Sequence, residues 1–179
     1  MTDDLLDEPA SDFALESTAG AEIRLSETLE KQDHSFLPPG PTVVVLFRGI
    51  WCSYCTEQLR TFDALEYDLW RHYNADVLPV TNEPIHRLKE MKDRFDLGLQ
   101  LLSDPGLEVA QAYTGVQDSE NHGPIPRPGT FIVDPGGIVR YEHVGEHIAD
   151  RTYANKVRFA IKSYDYRDPA YGNQEDFSF

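Results

Sequence analysis

Residues 42–55 read Thr-Val-Val-Val-Leu-Phe-Arg-Gly-Ile-Trp-Cys-Ser-Tyr-Cys, and this stretch decides the fold. The run from Thr42 to Phe47 is apolar, rich in β-branched residues and bounded by turn residues, which predicts a buried central strand. A helical pattern starts at Cys52, because apolar side chains then recur every three or four residues as far as Tyr73. The two cysteines therefore lie where a buried strand leads into a long helix.

Further elements are predicted on both sides of this junction. Residues 115–128 hold three prolines and two glycines and predict a surface loop. The order βαβα, antiparallel hairpin and helix predicts an α/β fold, with a central mixed sheet flanked by helices and its first two strands parallel. The other predicted elements are a hairpin over 13–16 and 22–25, a brief helix over 27–32 capped by Ser26, a strand over 75–80, a helix opened by Glu83-Pro84 and stopped by Gly98, an extended segment over 99–102, a helix after Asp104-Pro105, strands over 130–133 and 138–144 joined by the turn Asp134-Pro-Gly-Gly137, and a final helix capped by Asp150 or Thr152.

Length and charge bound the class of protein. The 179 residues suit one domain, and the net charge of -15 argues against nucleic-acid binding and against docking on an anionic membrane. Among the basic residues, 11 are Arg and 5 are Lys. An acidic, Lys-poor surface is typical of adaptation to a salt-rich cytoplasm, and an ordinary acidic protein is the alternative.

The ends of the chain differ from its body. We expect a mobile acidic N-terminus over residues 1–11, a domain over 12–164, and an acidic aromatic tail over 165–179 that contacts the body or another subunit. The acidic start lacks the pattern of a secretory leader, and no run is long enough to span a membrane. The expected compartment is the reducing cytoplasm, where two cysteines at this spacing are more often catalytic or metal-binding than structural.

The spacing of Cys52 and Cys55 suits redox chemistry. A helix N-terminus carries unpaired N–H groups and partial positive charge, which should lower the pKa of Cys52 and make it the nucleophile. Cys55, one turn further on, would be the more buried resolving thiol that attacks a mixed disulfide on Cys52. No organic cofactor is expected beyond this redox-active disulfide.

Two other interpretations of the cysteine pair remain. A structural zinc site needs four ligands, and these are the only cysteines, so His143 and His147 would have to complete it. Those histidines lie near the end of a predicted strand, and we expect no metal. The pair could also be two buried structural cysteines, an alternative that the strand-to-helix position makes less attractive.

Three segments carry a family resemblance. Residues 47–60, Leu101-Leu-Ser-Asp-Pro105 and Pro128-Gly-Thr-Phe-Ile-Val-Asp-Pro-Gly-Gly137 resemble peroxiredoxin-like proteins of the alkyl hydroperoxide reductase and thiol-specific antioxidant group. That group belongs to the thioredoxin superfamily, and the resemblance extends from about residue 12 to about residue 162. It implies a thioredoxin-like fold with the active thiol at the start of the first long helix.

The resemblance also implies a role for Pro128. In thioredoxin-like proteins a cis-proline faces the CxxC motif, just before the strand that starts the hairpin, and Pro128 holds that position here. There it shapes a groove in which an extended substrate peptide pairs with the exposed edge. The alternative is one more loop proline; the residues that follow favour the cis form.

The sequence departs from both family patterns. Gly49 and Val45 stand where peroxiredoxins place a Thr or Ser and a Pro, and Pro128, with Arg127 beside it, stands where they place an Arg. The peroxide-activating set is therefore incomplete. Leu46 stands where thioredoxin has its buried proton-accepting Asp.

Five residues near the cysteines are further candidates for shaping the site. Arg48 would lower the Cys52 pKa by its charge, or be a strand-end charge facing solvent. Glu57 would be a replacement base, or an exposed carboxylate. Ser53 leaves a backbone N–H donor near the sulfur where many relatives have Pro. Trp51 would be a lid or a packing residue, and Tyr54 is expected to be partly exposed and to touch substrate.

Three functional hypotheses follow. The first is a thiol–disulfide oxidoreductase in redox homeostasis, acting on protein or small-molecule disulfides and recharged by an external thiol reductase. The second is a thiol peroxidase, in which a hydroperoxide oxidises Cys52 to a sulfenic acid that Cys55 resolves. The third is a non-enzymatic redox-sensing interaction module.

Overall fold

A computed structural model describes residues 4–31 and 37–163 of the chain. The strands are β1 Ala14–Ser17, β2 Glu22–Arg24, β3 Thr42–Leu46, β4 Asp76–Thr81, β5 Leu102–Ser103, β6 Val116–Ser119, β7 Gly123–Pro126, β8 Gly129–Val133 and β9 Val139–Val144; the helices are α1 Leu25–Glu30, α2 Ser53–Tyr73, α3 Ile85–Phe95, α4 Glu108–Tyr113 and α5 Ala154–Ser163. Helices and strands alternate from α1 to α4, as expected for an α/β protein, and strands follow one another at β1–β2 and β6–β9.

One seven-stranded sheet has the order β2-β1-β5-β4-β3-β8-β9. The strand β3 lies inside it, parallel to β4 and antiparallel to β8, with Val44 opposite Leu78 on one side and Phe131 on the other. All five residues of β3 are buried, because an interior strand with helices on both faces has no solvent side. The predicted mixed sheet and parallel first pair are confirmed.

The alternation of side chains along β3 divides the core in two. Val43 and Val45 join Leu59, Phe62 and other residues of α2, α3 and α5 in one apolar cluster. The strand's remaining aliphatic side chains join α1, α4 and β8 in a second cluster. Because successive side chains of a strand point to opposite faces, one strand anchors both layers. The first cluster also contains both cysteines.

Several element ends differ from the predictions because side chains elsewhere decide them. The first helix begins at Leu25 rather than after Ser26, whose N–H and hydroxyl both bond the Asp12 carboxylate. The third helix ends before Gly98, at Asp96 in the left-handed conformation. The carboxylate of Asp104 accepts three N–H groups at the start of α4, as its predicted capping role requires.

The segment predicted as a surface loop, 115–128, contains a second sheet made of the hairpin β6–β7. Val116 pairs with Pro126 and Asp118 with Pro124. Proline is tolerated at the edge of a two-stranded ribbon, where its missing N–H faces away from the partner strand. The carbonyl of Pro124 also accepts a bond from Asn82, which ties the hairpin to the end of β4.

The acidic N-terminal segment is bonded to the main sheet. Over residues 4–11, backbone bonds join Asp7 to Val139 and Ala10 to Gly137. Arg140 adds an ion pair to Asp7 at 2.7 Å. This segment therefore lies along the outer strand β9. The tail over 165–179, together with residue 164, lies outside the described residues.

Within the described ranges, no helix combines the length and apolar composition that crossing a membrane requires.

Candidate active site

The two cysteines occupy the first turn of α2. Cys52 is the N-cap residue, with extended backbone, and Cys55 lies three residues on. Both are reduced and both are buried, with 2% of Cys52 and 0% of Cys55 exposed. The helix begins here because β3 ends at Leu46 and the backbone then turns at Gly49, whose carbonyl accepts the Cys52 N–H at 3.2 Å.

The surroundings polarise the dithiol. A hydrogen bond from the Cys55 thiol is the largest influence that lowers the Cys52 pKa, against the opposing effect of burial. The Cys55 backbone N–H and the Arg151 guanidinium lower it further, to about 5. Burial, reinforced by the hydrogen bond and negative charge of Cys52, raises the Cys55 pKa. One sulfur is therefore prepared as a thiolate and the other is kept as its proton-bearing partner.

Arg151 is the site residue that sequence reasoning missed. Its Nη2 lies 3.9 Å from the Cys52 sulfur and 3.7 Å from the Cys55 sulfur. Its Nη1 donates to the carbonyls of Asp150 and His147, which hold the guanidinium in place. An opposite charge at this range favours the thiolate. The cation that lowers the Cys52 pKa is thus Arg151, rather than Arg48, which was the candidate from the sequence.

Hydrogen bonds and a close backbone contact in the connection between β9 and α5 hold Arg151 toward the sulfurs. Asp150 bonds His143 Nε2 at 2.8 Å and the backbone N–H of Glu146 at 2.9 Å. Gly145 donates its N–H to the Pro128 carbonyl, and a Cβ on it would lie 2.5 Å from the Asp150 oxygen. Only glycine fits at this close approach of two backbone segments.

Gly145→Ala therefore tests the positioning of Arg151. The new methyl group would meet backbone at 2.5 Å and the Pro128 ring at 3.0 Å, so the loop must shift and carry Arg151 with it. We expect slower alkylation of Cys52 by iodoacetamide at pH 5 to 6, because less of the thiol is ionised, and a loss of about 1–3 kcal/mol in the free energy of unfolding.

The matched control is Gly106→Ala, whose Cβ has its nearest neighbour at 3.5 Å, an ordinary contact. It should alkylate like the native protein. A folded Gly145→Ala protein with native alkylation rates at pH 5 to 6 would show that the loop does not hold Arg151.

Buried Gln58 joins the helix of the cysteines to the segment that carries Arg151. Its Nε2 donates to the Thr152 carbonyl at 2.8 Å and to the Thr130 hydroxyl at 3.2 Å. Thr152 directly follows Arg151, and its hydroxyl bonds the Tyr141 hydroxyl. These two bonds restrict how the two segments slide, while the buried Oε1 of the same amide has no partner among the described residues. No local pattern in the sequence distinguishes Gln58 from an exposed helix residue.

Trp51 forms one wall beside Cys52. Its ring is parallel to that of His122, with centroids 3.8 Å apart, and the Arg48 guanidinium lies 4.9 Å from its centroid. His122 stands between β6 and β7, so the hairpin reaches the site, and Trp51 both packs on the core and lies at this contact. The backbone N–H of Arg48 lowers the Cys55 pKa, so this residue contacts the dithiol through its main chain.

Gly49 explains a departure from the peroxiredoxin pattern. Its φ is +153, and a Cβ there would lie 2.6 Å from Trp51 Nε1 and 2.9 Å from a Glu83 carboxylate oxygen. Neither Thr nor Ser fits where this tryptophan and this glutamate stand. The missing hydroxyl of the peroxiredoxin pattern is therefore a consequence of the Trp51 packing.

The prediction for Pro128 is wrong in one respect. The Arg127–Pro128 bond is trans, since the described residues contain no cis peptide. Extended backbone continues through this point: the Arg127 N–H bonds the Gly115 carbonyl beyond the β6–β7 ladder, and the Pro128 carbonyl accepts from Gly145. Pro128 is buried against the Gly145 loop, and Arg127 is half-buried beside it.

The remaining candidates lie at the surface of α2. Tyr54 is 41% exposed, as expected, and Ser53 is exposed at the first helical position. Glu57 is exposed while Cys55 is fully buried, so Glu57 is the exposed carboxylate of the second interpretation. His143 is paired with Asp150, and in the described part of the chain no three His, Cys, Asp or Glu side chains gather as a metal site would require.

Comparison with known proteins identifies the family of this chain. The model of the AhpC/TSA family matches residues 6–142, which is most of the chain. The chain belongs to the AhpC/TSA family. This confirms the predicted peroxiredoxin-like membership of the thioredoxin superfamily. Arg151 lies beyond the matched residues of this AhpC/TSA protein.

Curated relatives of this AhpC/TSA protein carry two kinds of name. It is 28% identical to thiol-disulfide oxidoreductase ResA of Halalkalibacterium halodurans, over 77% of this chain and 68% of that protein. It is 26% identical to the chloroplastic peroxiredoxin Q of Oryza sativa subsp. japonica, over 76% of this chain and 62% of that protein. The chain thus spans about two thirds of the length of these relatives.

Solved structures share the fold. Peroxidoxin BcpB from Mycobacterium tuberculosis superposes with a TM-score of 0.73 at 21% identity, covering 88% of this chain and 96% of that one. Enterococcus faecalis AhpC gives a TM-score of 0.70 at 16% identity, covering 91% and 93%. At these identities the likeness shows the fold alone.

Proposed function

We propose that this AhpC/TSA protein is a thiol–disulfide oxidoreductase that cycles Cys52 and Cys55 between dithiol and disulfide. The polarised pair carries the proposal: Cys52 has a pKa lowered to about 5, while that of Cys55 is raised. A thiolate attacks and a thiol supplies the next nucleophile, which is the division of labour that disulfide exchange requires. The name of the ResA relative supports the same class of enzyme.

The reaction has two exchange steps. The Cys52 thiolate attacks one sulfur of a substrate disulfide, the S–S bond breaks, and the first substrate thiolate leaves with a mixed disulfide on Cys52. Cys55 then loses its proton and attacks the Cys52 sulfur, which expels the second substrate thiolate. The substrate gains two electrons from the pair, one proton from Cys55 and a second proton from solvent, and Cys52–Cys55 becomes a disulfide that an external thiol reductant returns to the dithiol.

The second step needs a base for the Cys55 proton. Leu46, where thioredoxin has its Asp, is buried and apolar, and Glu57 is exposed. We assign the proton to the departing substrate thiolate, which is the basic group formed beside Cys55. Arg151 would stay near both sulfurs through the cycle and stabilise whichever carries the negative charge.

Peroxide reduction is a second candidate, which the Arg151 contact favours. A guanidinium 3.9 Å from the nucleophile can donate to a peroxide oxygen, although Gly49 and Pro128 replace the usual Thr and Arg. The Cys52 thiolate would attack one oxygen of a hydroperoxide and break the O–O bond, leaving Cys52 as a sulfenic acid, while the departing alkoxide takes a proton from solvent to become an alcohol. Attack by Cys55 would then release water and form the same disulfide. Relatives named peroxiredoxin Q support this alternative.

The rates of reaction with two different oxidants distinguish the two candidate functions. The fully reduced protein is mixed with hydrogen peroxide or with a protein disulfide such as insulin, at low and high salt, and the loss of thiols is followed. Faster, Cys52-dependent reaction with the disulfide is the expected result, because the donor set for peroxide is incomplete. Faster reaction with peroxide would make the peroxidase the function, and binding of a partner that depends on oxidation state without turnover would indicate a redox sensor.

Three further features belong to the proposal. We assign the protein to the cytoplasm, where a thiol reductase system can recharge it. No metal or organic cofactor takes part in either reaction. The acidic, Lys-poor composition would suit a salt-rich cytoplasm, and the comparison of low and high salt bears on that assignment.

A further inference from the structure

The two arginines at the site have donors without partners. Buried Nε and Nη1 of Arg48 and buried Nε of Arg151 have no hydrogen-bond acceptor among the described residues. A guanidinium carries five N–H donors and stays charged at any physiological pH, so unmade bonds at a buried edge are costly. Unpartnered buried donors in a folded protein call for a specific explanation.

Nearby carboxylates do not neutralise Arg48. Glu83 lies near this segment, and its Oε1 accepts the Ile50 N–H at 3.4 Å. Neither arginine takes part in an ion pair among residues 4–31 and 37–163. Many other basic side chains in these ranges also lack an ion pair, but Arg48 and Arg151 are the ones whose unpartnered donors are buried.

Both arginines contact the dithiol, and the side chain of Arg48 also contacts the aromatic ring of Trp51. Arg151 approaches both sulfurs through its guanidinium, and Arg48 contacts Cys55 through its main chain. The Arg48 guanidinium rests on Trp51, the residue that directly precedes Cys52. This stacking presents a flat cation next to the nucleophile, and a planar guanidinium is well suited to bind a carboxylate.

We infer that Arg48 binds a carboxylate of the substrate beside Cys52, so that the preferred substrates are small anionic disulfides. This deepens the proposed oxidoreductase function and rests on it for the reaction, while the binding site stands on the arginines. Arg151 remains with the thiolate, and the charge of its guanidinium adds to the attraction for the same anionic ligand. Specificity would come from the charge of the substrate rather than from its size.

Binding is tested without any redox reaction. Suberate has the chain length of the disulfide 3,3′-dithiodipropionate but holds no sulfur, and 1,8-octanediol is its uncharged counterpart. At fixed ionic strength, suberate should protect Cys52 of the reduced native protein from iodoacetamide, and octanediol should not. Arg48→Gln should lose the protection, and Arg48→Lys should retain part of it.

The control variant is Arg60→Gln, which removes a positive charge from the exposed side of α2, the helix that begins at the cysteines. It should be protected like the native protein. Equal protection of native and Arg48→Gln proteins, or none in the native protein, would overturn the carboxylate site and leave Arg48 as packing for Trp51. The native comparison of suberate with octanediol decides the matter even if Arg48→Gln does not fold.

Rates of reaction with charged and neutral disulfides test this inference separately from the oxidoreductase function on which it rests. With the native protein, 3,3′-dithiodipropionate should oxidise the dithiol on the order of fivefold to tenfold faster than neutral bis(2-hydroxyethyl) disulfide, each rate being normalised to that of free dithiothreitol. In Arg48→Gln this ratio should approach one. Suberate protection without Cys52-dependent disulfide reduction would sustain the site and refute the oxidoreductase. Disulfide reduction without charge preference or protection would sustain the oxidoreductase and refute the carboxylate site.

Discussion

Cys55→Ser is expected to stop the protein at the mixed disulfide. The Cys52 thiolate can still attack a substrate disulfide, but no thiol remains beside it to expel the second half. Turnover should fall by roughly a hundredfold or more, because an external thiol at millimolar concentration replaces an intramolecular one held in place. Intact-mass spectrometry should show a stoichiometric adduct on Cys52 that dithiothreitol removes.

The companion variant is Cys52→Ser. It keeps Cys55, whose burial alone still raises its pKa and blocks access to it, so neither an adduct nor turnover should form. Full multiple-turnover activity of Cys55→Ser would refute the resolving role of Cys55. An adduct on Cys55 in Cys52→Ser would refute the assignment of Cys52 as the attacking residue.

Arg151→Gln is expected to raise the Cys52 pKa. The native alkylation rate should increase with pH through about 5 and then level off, because the thiolate is the reactive form. Loss of the guanidinium 3.9 Å away destabilises the thiolate and should move this midpoint upward by roughly one to two pH units. The difference from the native rate should be largest near pH 5 and vanish where both proteins are fully ionised. Iodoacetamide rates between pH 4 and 9 measure it.

The same variant should also be a weaker oxidant. Stabilising the thiolate stabilises the reduced protein, so removing Arg151 shifts the equilibrium toward the disulfide, by about 30 mV for each pH unit of pKa change. Equilibration with glutathione buffers measures that shift. Arg158→Gln, an exposed position on α5, is the charge-matched control and should retain the native midpoint. An unchanged midpoint in a folded Arg151→Gln would remove Arg151 from the active site.

The cysteine chemistry was predictable because it is local. Cys52 and Cys55 follow a run of buried strand residues and begin an apolar helical face, and these patterns depend only on neighbours along the chain. The same holds for the hairpin turn at 134–137, which joins β8 to β9 as its composition predicts. Departures from the family pattern were equally visible, and Gly49 shows why one of them exists.

The charge at the site was not predictable because it comes from far along the chain. Arg151 is 99 residues from Cys52, in a connection whose aim depends on a glycine contact, an aspartate–histidine pair and a buried glutamine. Nothing in the local sequence separates it from Arg48, which was the candidate by proximity. Arg48 is nearer to Cys52 along the chain, but in the folded protein its side chain stacks on Trp51.

The sequence by itself determined the order of the elements, the buried strand β3 and the position of the dithiol at a helix N-terminus. These follow from hydrophobic periodicity and turn residues, which act over a few residues. Tertiary structure alone decided which cation faces the sulfurs, that residues 116–126 form a hairpin reaching Trp51, and that residues 4–11 lie along β9. Those outcomes depend on which surfaces meet when distant segments pack, and no local pattern records that choice.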